Sequence, residues 1–192
     1  MTSAFAEPSL DSARTFRRIL TAMSQPGTIQ DIACGPAPPA PLTPAMAALC
    51  LTLADMDAPL WVEKSLPRQA RDWLRFHCGC PLVEDSGQAQ LACVLKAETM
   101  PALAEFPQGL PEYPDRSATL FIQVAGLGQG PAVSLTGPGI KDRQILKVEG
   151  LPGWFWDKWQ DNAAGFPLGV DVIFLAQGRV AGLPRSISAE VL

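Results

Sequence analysis

Apolar side chains recur at helical spacing in several parts of the chain. Near its start, the i, i+3, i+4, i+7 spacing of one helix face joins Phe16, Ile19, Leu20 and Met23. Asp11 and Ser12 are placed to cap this predicted helix, and Pro26-Gly27 ends it. The opposite face is polar and carries, at the same spacing, Arg14, Arg17, Arg18 and Thr21. The pattern therefore predicts an amphipathic helix with a basic stripe.

Two further helices are predicted before residue 80. Thr43 caps the first and Pro44 opens it, and residues 45–54 are apolar on every side, which indicates a buried helix. Gly79 ends the second, which follows Ser65 and Pro67 and has one shared face of Ala70, Trp73, Leu74 and His77. Residues 35–44 hold five prolines and are predicted to form an extended surface connection.

The β-rich runs are short and bounded by turn residues. In the first half of the chain, strands are predicted at residues 59–62, 81–83 and 90–95. In the second half, glycine-containing turns predict two hairpins, which pair residues 119–126 with 132–136 and residues 170–175 with 179–183. A short helix followed by a loop is predicted at residues 99–116, a helix at residues 154–164 and an edge strand at residues 187–191.

Several of these strands are apolar throughout, which is typical of strands covered on both faces. Together with the predicted helices they indicate one α/β domain over residues 1–192, built on a mixed sheet with helices on its faces. A chain of this length can bury a sizeable core without metals or disulfides.

Composition limits the partners of this domain. The formal net charge is -4, with 18% charged and 47% hydrophobic residues. The acidic balance weighs against nucleic acid, and the sparse charge predicts that other protein covers part of the surface. The first 14 residues do not look like a signal peptide, and no run approaches the roughly 18 apolar residues of a membrane span. We therefore expect a cytoplasmic protein that binds neither nucleic acid nor membrane.

The cysteines are expected to be reduced, because a cytosolic chain with an odd number of them offers no disulfide framework. They are Cys34, Cys50, Cys78, Cys80 and Cys93. His77 is the only histidine and adjoins two of them, but structural zinc sites use four ligands at regular spacing. We expect no metal site. The G-x-S-x-G motif is absent, so a serine hydrolase is not expected either.

Candidate ligand-binding side chains come from separate segments. Arg17 and Arg18 suit a phosphate, although a charged helix face is more often simply solvated. Asp55 either forms a turn at residues 55–57 or contacts a partner or ligand. Thr136 and Gly137 follow a predicted strand in Leu-Thr-Gly-Pro-Gly-Ile, which lacks the established phosphate-loop motifs and is better explained as a tight turn.

Asp171 stands at the entry of an apolar strand. A buried carboxylate needs hydrogen bonds or a cation, and Arg185, after the returning strand, is the candidate partner. We therefore predict an ion pair between Asp171 and Arg185.

Segments spread along nearly the whole chain resemble, in order, the PhnH family of the carbon-phosphorus lyase system. They are FRRILTAMSQPG at 16–27, LTLAD at 51–55 with Trp61 after it, LRFH at 74–77, LTGPGI at 135–140, FPLGVD at 166–171 and Pro184-Arg185. These segments contain the ligand-binding candidates Arg17, Arg18, Asp55, His77, Thr136, Gly137 and Arg185. They also contain the residues expected to be structural, which are Pro26, Gly27, Gly169 and Asp171. Cys78 and Cys80 look like departures from the family pattern.

The resemblance implies a fold related to the large domain of pyridoxal-phosphate (PLP) transferases, a three-layer α/β/α sandwich on a mixed sheet, without PLP. A PLP enzyme needs a Schiff-base lysine, and no lysine here falls in a segment that matches the family. No cofactor is expected on this chain, and ATP enters only as a substrate of the complex.

The resemblance also implies association with the subunits PhnG, PhnI and PhnJ. As a docking subunit, the chain is expected to form a homodimer when isolated. The complex transfers a ribose triphosphate from ATP to methylphosphonate, releasing adenine and forming α-D-ribose 1-methylphosphonate 5-triphosphate. Three hypotheses remain open at this point. The chain is a structural or docking subunit of this transferase, a subunit with its own phosphate or nucleotide pocket, or an independent enzyme. No catalytic residue can be assigned.

Overall fold

The computed structural model describes residues 4–32 and 37–192. Cys34 and part of the predicted extended connection at residues 35–44 lie outside these ranges. The described residues form four α-helices, namely α1 (Pro8–Ser24), α2 (Pro44–Leu53), α3 (Arg68–Cys78) and α4 (Phe155–Ala164). None of the helices in this part of the chain is long and apolar enough to span a membrane.

Twelve strands occur in the same residues. The first six are β1 (Ile29–Asp31), β2 (Leu60–Val62), β3 (Leu82–Val83), β4 (Leu91–Val94), β5 (Gln108–Leu110) and β6 (Tyr113–Ser117). The second six are β7 (Thr119–Gln123), β8 (Gly126–Thr136), β9 (Gln144–Glu149), β10 (Asp171–Ala176), β11 (Arg179–Leu183) and β12 (Ser188–Val191). Short 3-10 turns form at Ser86–Gln88, Ala97–Thr99 and Leu103–Glu105.

Seven of the strands form the central sheet, in the order β1-β11-β10-β7-β4-β2-β3. Strands β10, β7, β4, β2 and β3 are mutually parallel, while β11 runs antiparallel to both of its neighbours. A second, antiparallel sheet has the order β12-β8-β9, and β5 pairs with β6 alone. The predicted α/β fold on a mixed sheet is confirmed.

The two faces of the central sheet are covered differently. Alternate strand side chains such as Leu60, Phe121 and Ile173 join the core beneath α1, α2 and α3. The intervening side chains, such as Leu120 and Val172, join a second core with residues of α4 and the β12-β8-β9 sheet. The second covering layer is therefore largely a sheet, and the predicted α/β/α sandwich is not confirmed on that side.

Helix α2 forms as its sequence predicts. The Thr43 hydroxyl accepts a hydrogen bond from the backbone N–H of Met46 at 3.3 Å, which caps the helix, and Pro44 follows the cap. Residues 45–50 are buried in the core beneath the helical layer. Helix α3 also ends as predicted, at Gly79 with a left-handed φ of 69°.

Helix α1 begins earlier than predicted and buries a different face. It starts at Pro8, and the Asp11 carboxylate accepts a hydrogen bond from the backbone N–H of Glu7 at 3.0 Å. Its buried side chains are Thr15, Ile19 and Ala22. Phe16 and Leu20 are exposed, so the predicted apolar stripe only partly faces the core.

The predicted hairpin between residues 119–126 and 132–136 is wrong. Strand β7 pairs in parallel with β4 and β10 in the central sheet, whereas β8 leaves that sheet and pairs with β9 and β12. The local sequence of a strand does not decide which partner it takes, because pairing depends on contacts with residues distant in the chain. The later hairpin, β10 with β11, is confirmed, with its turn at Gln177-Gly178.

Two other regions differ from the sequence prediction. Residues 99–116 contain 3-10 turns and the small hairpin β5-β6 in place of a short helix and loop. Strand β9 was not predicted, although it alternates buried and exposed positions and pairs along β8. The predicted edge strand near the C-terminus is β12, which lies at the edge of the second sheet.

Candidate functional site

The parallel strands of the central sheet end at one common edge, which we call the carboxyl edge. Strands β10, β7, β4 and β2 all run toward it, and β1 does as well, since β1 and β10 are both antiparallel to β11. In open α/β sheets, ligands bind in crevices outside this edge. This edge is therefore the expected place for a binding site.

A cleft of about 710 Å³ lies at the carboxyl edge, and we call it the edge cleft. The ends of β1, β7 and β10 and the start of α2 enclose it. Most of its surface is apolar, contributed by Ile32, Pro44, Ala45, Val124, Leu175 and Ala176. The Thr43 hydroxyl donates a hydrogen bond to Gln123 Oε1 at 3.1 Å and so ties the start of α2 to the end of β7.

A second cleft of about 530 Å³ runs along α1, and we call it the basic groove. It is lined by Arg14, Thr15, Arg17, Arg18, Thr21 and Asp31. Asp31, the last residue of β1, lines the edge cleft as well, so the two clefts adjoin. The Arg18 Nη1 donates a hydrogen bond of 3.5 Å to Gln30 Oε1 on β1.

Glu63 organises the neighbouring part of the same edge. Its Oε1 accepts hydrogen bonds from the backbone N–H groups of Leu95 and Lys96, at 3.1 and 3.0 Å, and its Oε2 accepts one from the Ser65 hydroxyl at 3.2 Å. The carboxylate therefore joins the loop after β2 to the loop after β4. This arrangement satisfies the carboxylate within the protein and indicates a structural role.

His77, in the last turn of α3, and Asp55, just after α2, lie at the opposite, amino edge of the sheet, since both helices lead into parallel strands. The His77 ring packs against Trp73 and Phe76, with centroid distances of 4.7 and 4.9 Å. Its Nε2 is buried and has no hydrogen-bond partner among the described residues. Asp55 forms the predicted turn, accepting a hydrogen bond from the Asp57 N–H at 2.9 Å.

Thiols cluster near this amino edge. Cys50, Cys78, Cys80 and Cys93 are free cysteines. A hydrogen bond to the Cys80 thiol, reinforced by burial, raises the pKa of Cys78 well above the usual thiol value. The same hydrogen bond lowers the pKa of Cys80, while a hydrogen bond to Cys93 and burial raise the pKa of Cys50. Among the described residues, no three metal-ligating side chains are grouped so as to hold an ion.

The predicted ion pair between Asp171 and Arg185 is present. Arg185 Nη2 lies 3.6 Å from Asp171 Oδ2, and the Arg185 backbone N–H donates to Oδ1 at 2.8 Å. Arg185 Nη1 also donates to the carbonyl oxygens of Gly169 and Pro114, at 2.9 and 3.0 Å, and to the Ser117 hydroxyl. The guanidinium is thus occupied by the protein's own groups, with only 17% of the side chain exposed.

The glycine segments pack closely against other elements. Gly139 has a φ of 84°, and a Cβ there would collide with the Ser24 carbonyl oxygen at the end of α1. Gly27 is similarly placed against Gln144 of β9. Gly137 lies against the backbone of Ser186 and follows Thr136, which is exposed at the end of β8. The Ile140 N–H donates to the Gly137 carbonyl oxygen at 3.1 Å, which closes the predicted tight turn.

The sequence candidates therefore do not form one site. Arg17 and Arg18 line the basic groove together, Asp55 and His77 lie at the amino edge, and Arg185 is held by its ion pair. Sequence reasoning did not identify Asp31, Thr43 and Gln123 as lining residues of the clefts. The short strand β1 was not predicted, and only the parallel pairing of β7 brings Gln123 to α2.

Comparison with known proteins adds a family assignment to this geometry. The model of the family described as bacterial phosphonate metabolism protein (PhnH) matches residues 3–190. A protein of Rhizobium meliloti (strain 1021), named alpha-D-ribose 1-methylphosphonate 5-triphosphate synthase subunit PhnH, is 37% identical over 188 residues, covering 97% of this chain and 94% of that protein. HtxG of Stutzerimonas stutzeri, named as a candidate C-P lyase subunit, is 35% identical, and the match covers 89% of this chain and 82% of that protein.

Proposed function

The chain belongs to the PhnH family of bacterial phosphonate metabolism proteins, and we propose that it acts in phosphonate breakdown as a subunit of the carbon-phosphorus lyase complex. The observation that carries this proposal is the 37% identity to the Rhizobium synthase subunit over 97% of this chain. The corresponding step transfers the ribose triphosphate of ATP to methylphosphonate and releases adenine. The complex is thus a transferase to which this subunit contributes.

A docking role is supported by large apolar side chains that remain exposed. Phe16 and Leu20 on α1 are 48% and 55% exposed, and Phe76 on α3 is 64% exposed. At 100° per residue, Phe16 and Leu20 lie on the flank of α1 away from Arg14 and Arg18. Contiguous exposed apolar side chains are a feature of many protein interfaces, so this neighbouring pair is a candidate docking surface. We call the flank formed by Phe16 and Leu20 the apolar flank.

The proposal also names binding partners, an oligomeric state and a cellular location. We propose PhnG, PhnI and PhnJ as partners, a homodimer for the isolated chain, and a cytoplasmic location, consistent with the reduced thiols. We also propose that the fold is related to the large domain of PLP transferases. The seven-stranded mixed sheet with three helices on one face supports that kinship.

Co-purification tests the subunit role directly. A tagged copy of the chain is expected to retain the other lyase subunits, and adenine release from ATP and methylphosphonate is expected only when the chain is present. If the chain associates with none of them and turnover is the same without it, the proposed role is wrong.

A second candidate function is a phosphate- or nucleotide-binding subunit with its own pocket. The observation that favours it is that Arg17 and Arg18 line one cleft, because arginine forks suit phosphate oxygens. Inorganic triphosphate should bind the purified chain and lose its binding in the Arg17→Ala/Arg18→Ala variant. Equal binding by both proteins would remove this candidate.

A further inference from the structure

The basic groove concentrates positive charge on an acidic protein. The chain carries a net charge of -4, yet among the described residues three arginines line this groove and Asp31 is its one acidic lining residue. The spacing of residues 14, 17 and 18 places all three side chains on one flank of α1, beside strand β1. A local excess of arginine of this kind attracts anions.

Two of these arginines have no carboxylate partner. Within residues 4–32 and 37–192, no acidic group lies within 4.0 Å of the Arg17 or Arg18 guanidinium. Arg14 is 3.7 Å from Asp11, in an exposed contact between residues three apart on the helix. Exposed pairs of this type are weak. Arg18 donates one hydrogen bond, of 3.5 Å, to Gln30 Oε1. Its remaining N–H groups, like those of Arg17, are available to bind a phosphate.

The edge cleft continues the groove with a different chemistry. Its volume of about 710 Å³ falls in the range typical of small-molecule pockets, and its walls are mostly apolar. Its polar lining includes Thr43, Gln123 and Gln177, which contribute hydroxyl and amide groups. A flat, apolar group with a few polar atoms on its edge suits such a cleft.

Asp31 lies between these two environments, because it lines both clefts. A carboxylate at this position repels phosphate but accepts hydrogen bonds from hydroxyl groups. From the basic groove to the edge cleft, the lining therefore changes from arginines to a carboxylate and then to apolar walls. A nucleotide has the matching order of phosphates, sugar hydroxyls and base.

We propose that the basic groove and the edge cleft together bind a nucleoside polyphosphate. The phosphates contact Arg14, Arg17 and Arg18, the ribose hydroxyls donate to Asp31, and the base occupies the edge cleft. The proposal rests on the second candidate function and names its ligand class and its orientation. It does not depend on the docking role.

Calorimetric titration of the purified full chain at low ionic strength tests this proposal with ATP and with inorganic triphosphate. We expect ATP to bind about 10-fold more tightly than triphosphate, because only ATP fills the edge cleft. The Arg17→Ala/Arg18→Ala variant should bind both probes at least about 10-fold more weakly. The Arg68→Ala/Arg75→Ala variant removes two exposed arginines from α3 and should bind both like the unaltered chain.

Asp31→Ala distinguishes a nucleotide site from a general anion site. This variant should bind ATP more weakly, since the ribose loses its acceptor, but should bind triphosphate as well as before or better, since a repulsive charge is removed. Circular dichroism and melting curves verify that each variant is folded. The absence of ATP binding, equal affinity for both probes, or equal loss in the α3 control would each overturn the proposal. Since these measurements need no partner, such a result would leave the subunit role intact.

Discussion

The Asp171 carboxylate holds Arg185 twice, through the arginine's backbone N–H at 2.8 Å and its guanidinium at 3.6 Å. The contact joins the first residue of β10 to the segment that follows β11. Because Arg185 also donates to the carbonyl of Gly169, it stabilises the turn that leads into β10. The pair thus fixes the entry and the exit of one hairpin.

Removal of this cation should destabilise the fold. We expect Arg185→Ala to lower the free energy of unfolding by about 3 kcal/mol, because it leaves a largely buried carboxylate without its charge partner. Urea denaturation measures the change. Arg68→Ala removes an arginine whose side chain is 94% exposed and should cost less than about 1 kcal/mol. Equal midpoints for the two variants would contradict the structural role of the pair.

The glycines offer a graded test of backbone packing. We expect Gly139→Ala to destabilise most, by about 2–3 kcal/mol, since its Cβ would meet the Ser24 carbonyl oxygen in a backbone with φ of 84°. Gly79 has a positive φ of 69° but open space around it, so Gly79→Ala should lower the free energy of unfolding by about 1 kcal/mol. Gly153→Ala has neither constraint and should be neutral. Thermal melts of the three variants should follow this order, and a Gly139→Ala variant that melts no lower than Gly79→Ala would refute the crowding at Gly139.

The Cys78 thiol should react slowly with alkylating agents. Its raised pKa leaves less thiolate at any given pH, and the hydrogen bond to Cys80 is the main cause. We expect Cys80→Ala to lower the pKa of Cys78 and to increase its rate of reaction with iodoacetamide at mildly alkaline pH. Cys80→Ser keeps a hydroxyl acceptor and should retain most of the protection.

Mass spectrometry of the digested protein assigns the modified residue in each variant. All forms should carry Cys34→Ser, so that only Cys50, Cys78, Cys80 and Cys93 can react. Rapid modification of Cys78 while Cys80 is intact would show that the hydrogen bond does not control its reactivity.

The apolar flank should be needed for assembly. We expect Phe16→Glu/Leu20→Glu to leave the chain folded, because both side chains are about half exposed, and to weaken its retention of the lyase subunits at least about 10-fold. Leu110→Glu/Tyr113→Glu changes two side chains of 51% and 50% exposure on the β5-β6 hairpin and serves as the matched control. Co-purification with the tagged chain measures both. Unaltered retention in the α1 variant would assign the interface to another surface.

Local sequence was sufficient for elements whose signals are short-range. Thr43 and Pro44 mark the start of α2, Gly79 marks the end of α3, and Gln177-Gly178 marks the turn between β10 and β11. Each of these signals depends on backbone conformation within a few residues. The pairing of Asp171 with Arg185 was also predictable, because a short hairpin connects them.

Strand partners could not be predicted in the same way. Strands β7 and β8 are consecutive and only Val124 and Ala125 separate them, yet one lies in the central sheet and the other in the second sheet. Phe16 and Leu20 satisfied the spacing of a buried helix face, but the face that packs on the sheet is the one with Thr15 and Ile19. In both cases the competing arrangements have the same local pattern, and contacts with distant residues choose between them.

The sequence by itself determined the α/β class, the family, most helix positions and the basic stripe of α1, since composition, periodicity and capping residues are properties of short stretches. Only the tertiary structure decided that Arg17 and Arg18 lie beside Asp31, while Asp55 and His77 lie at the opposite edge of the sheet. The physical reason is that strand order and direction determine which chain segments meet at an edge. Long-range pairing and the burial of both sheet faces set that order and direction.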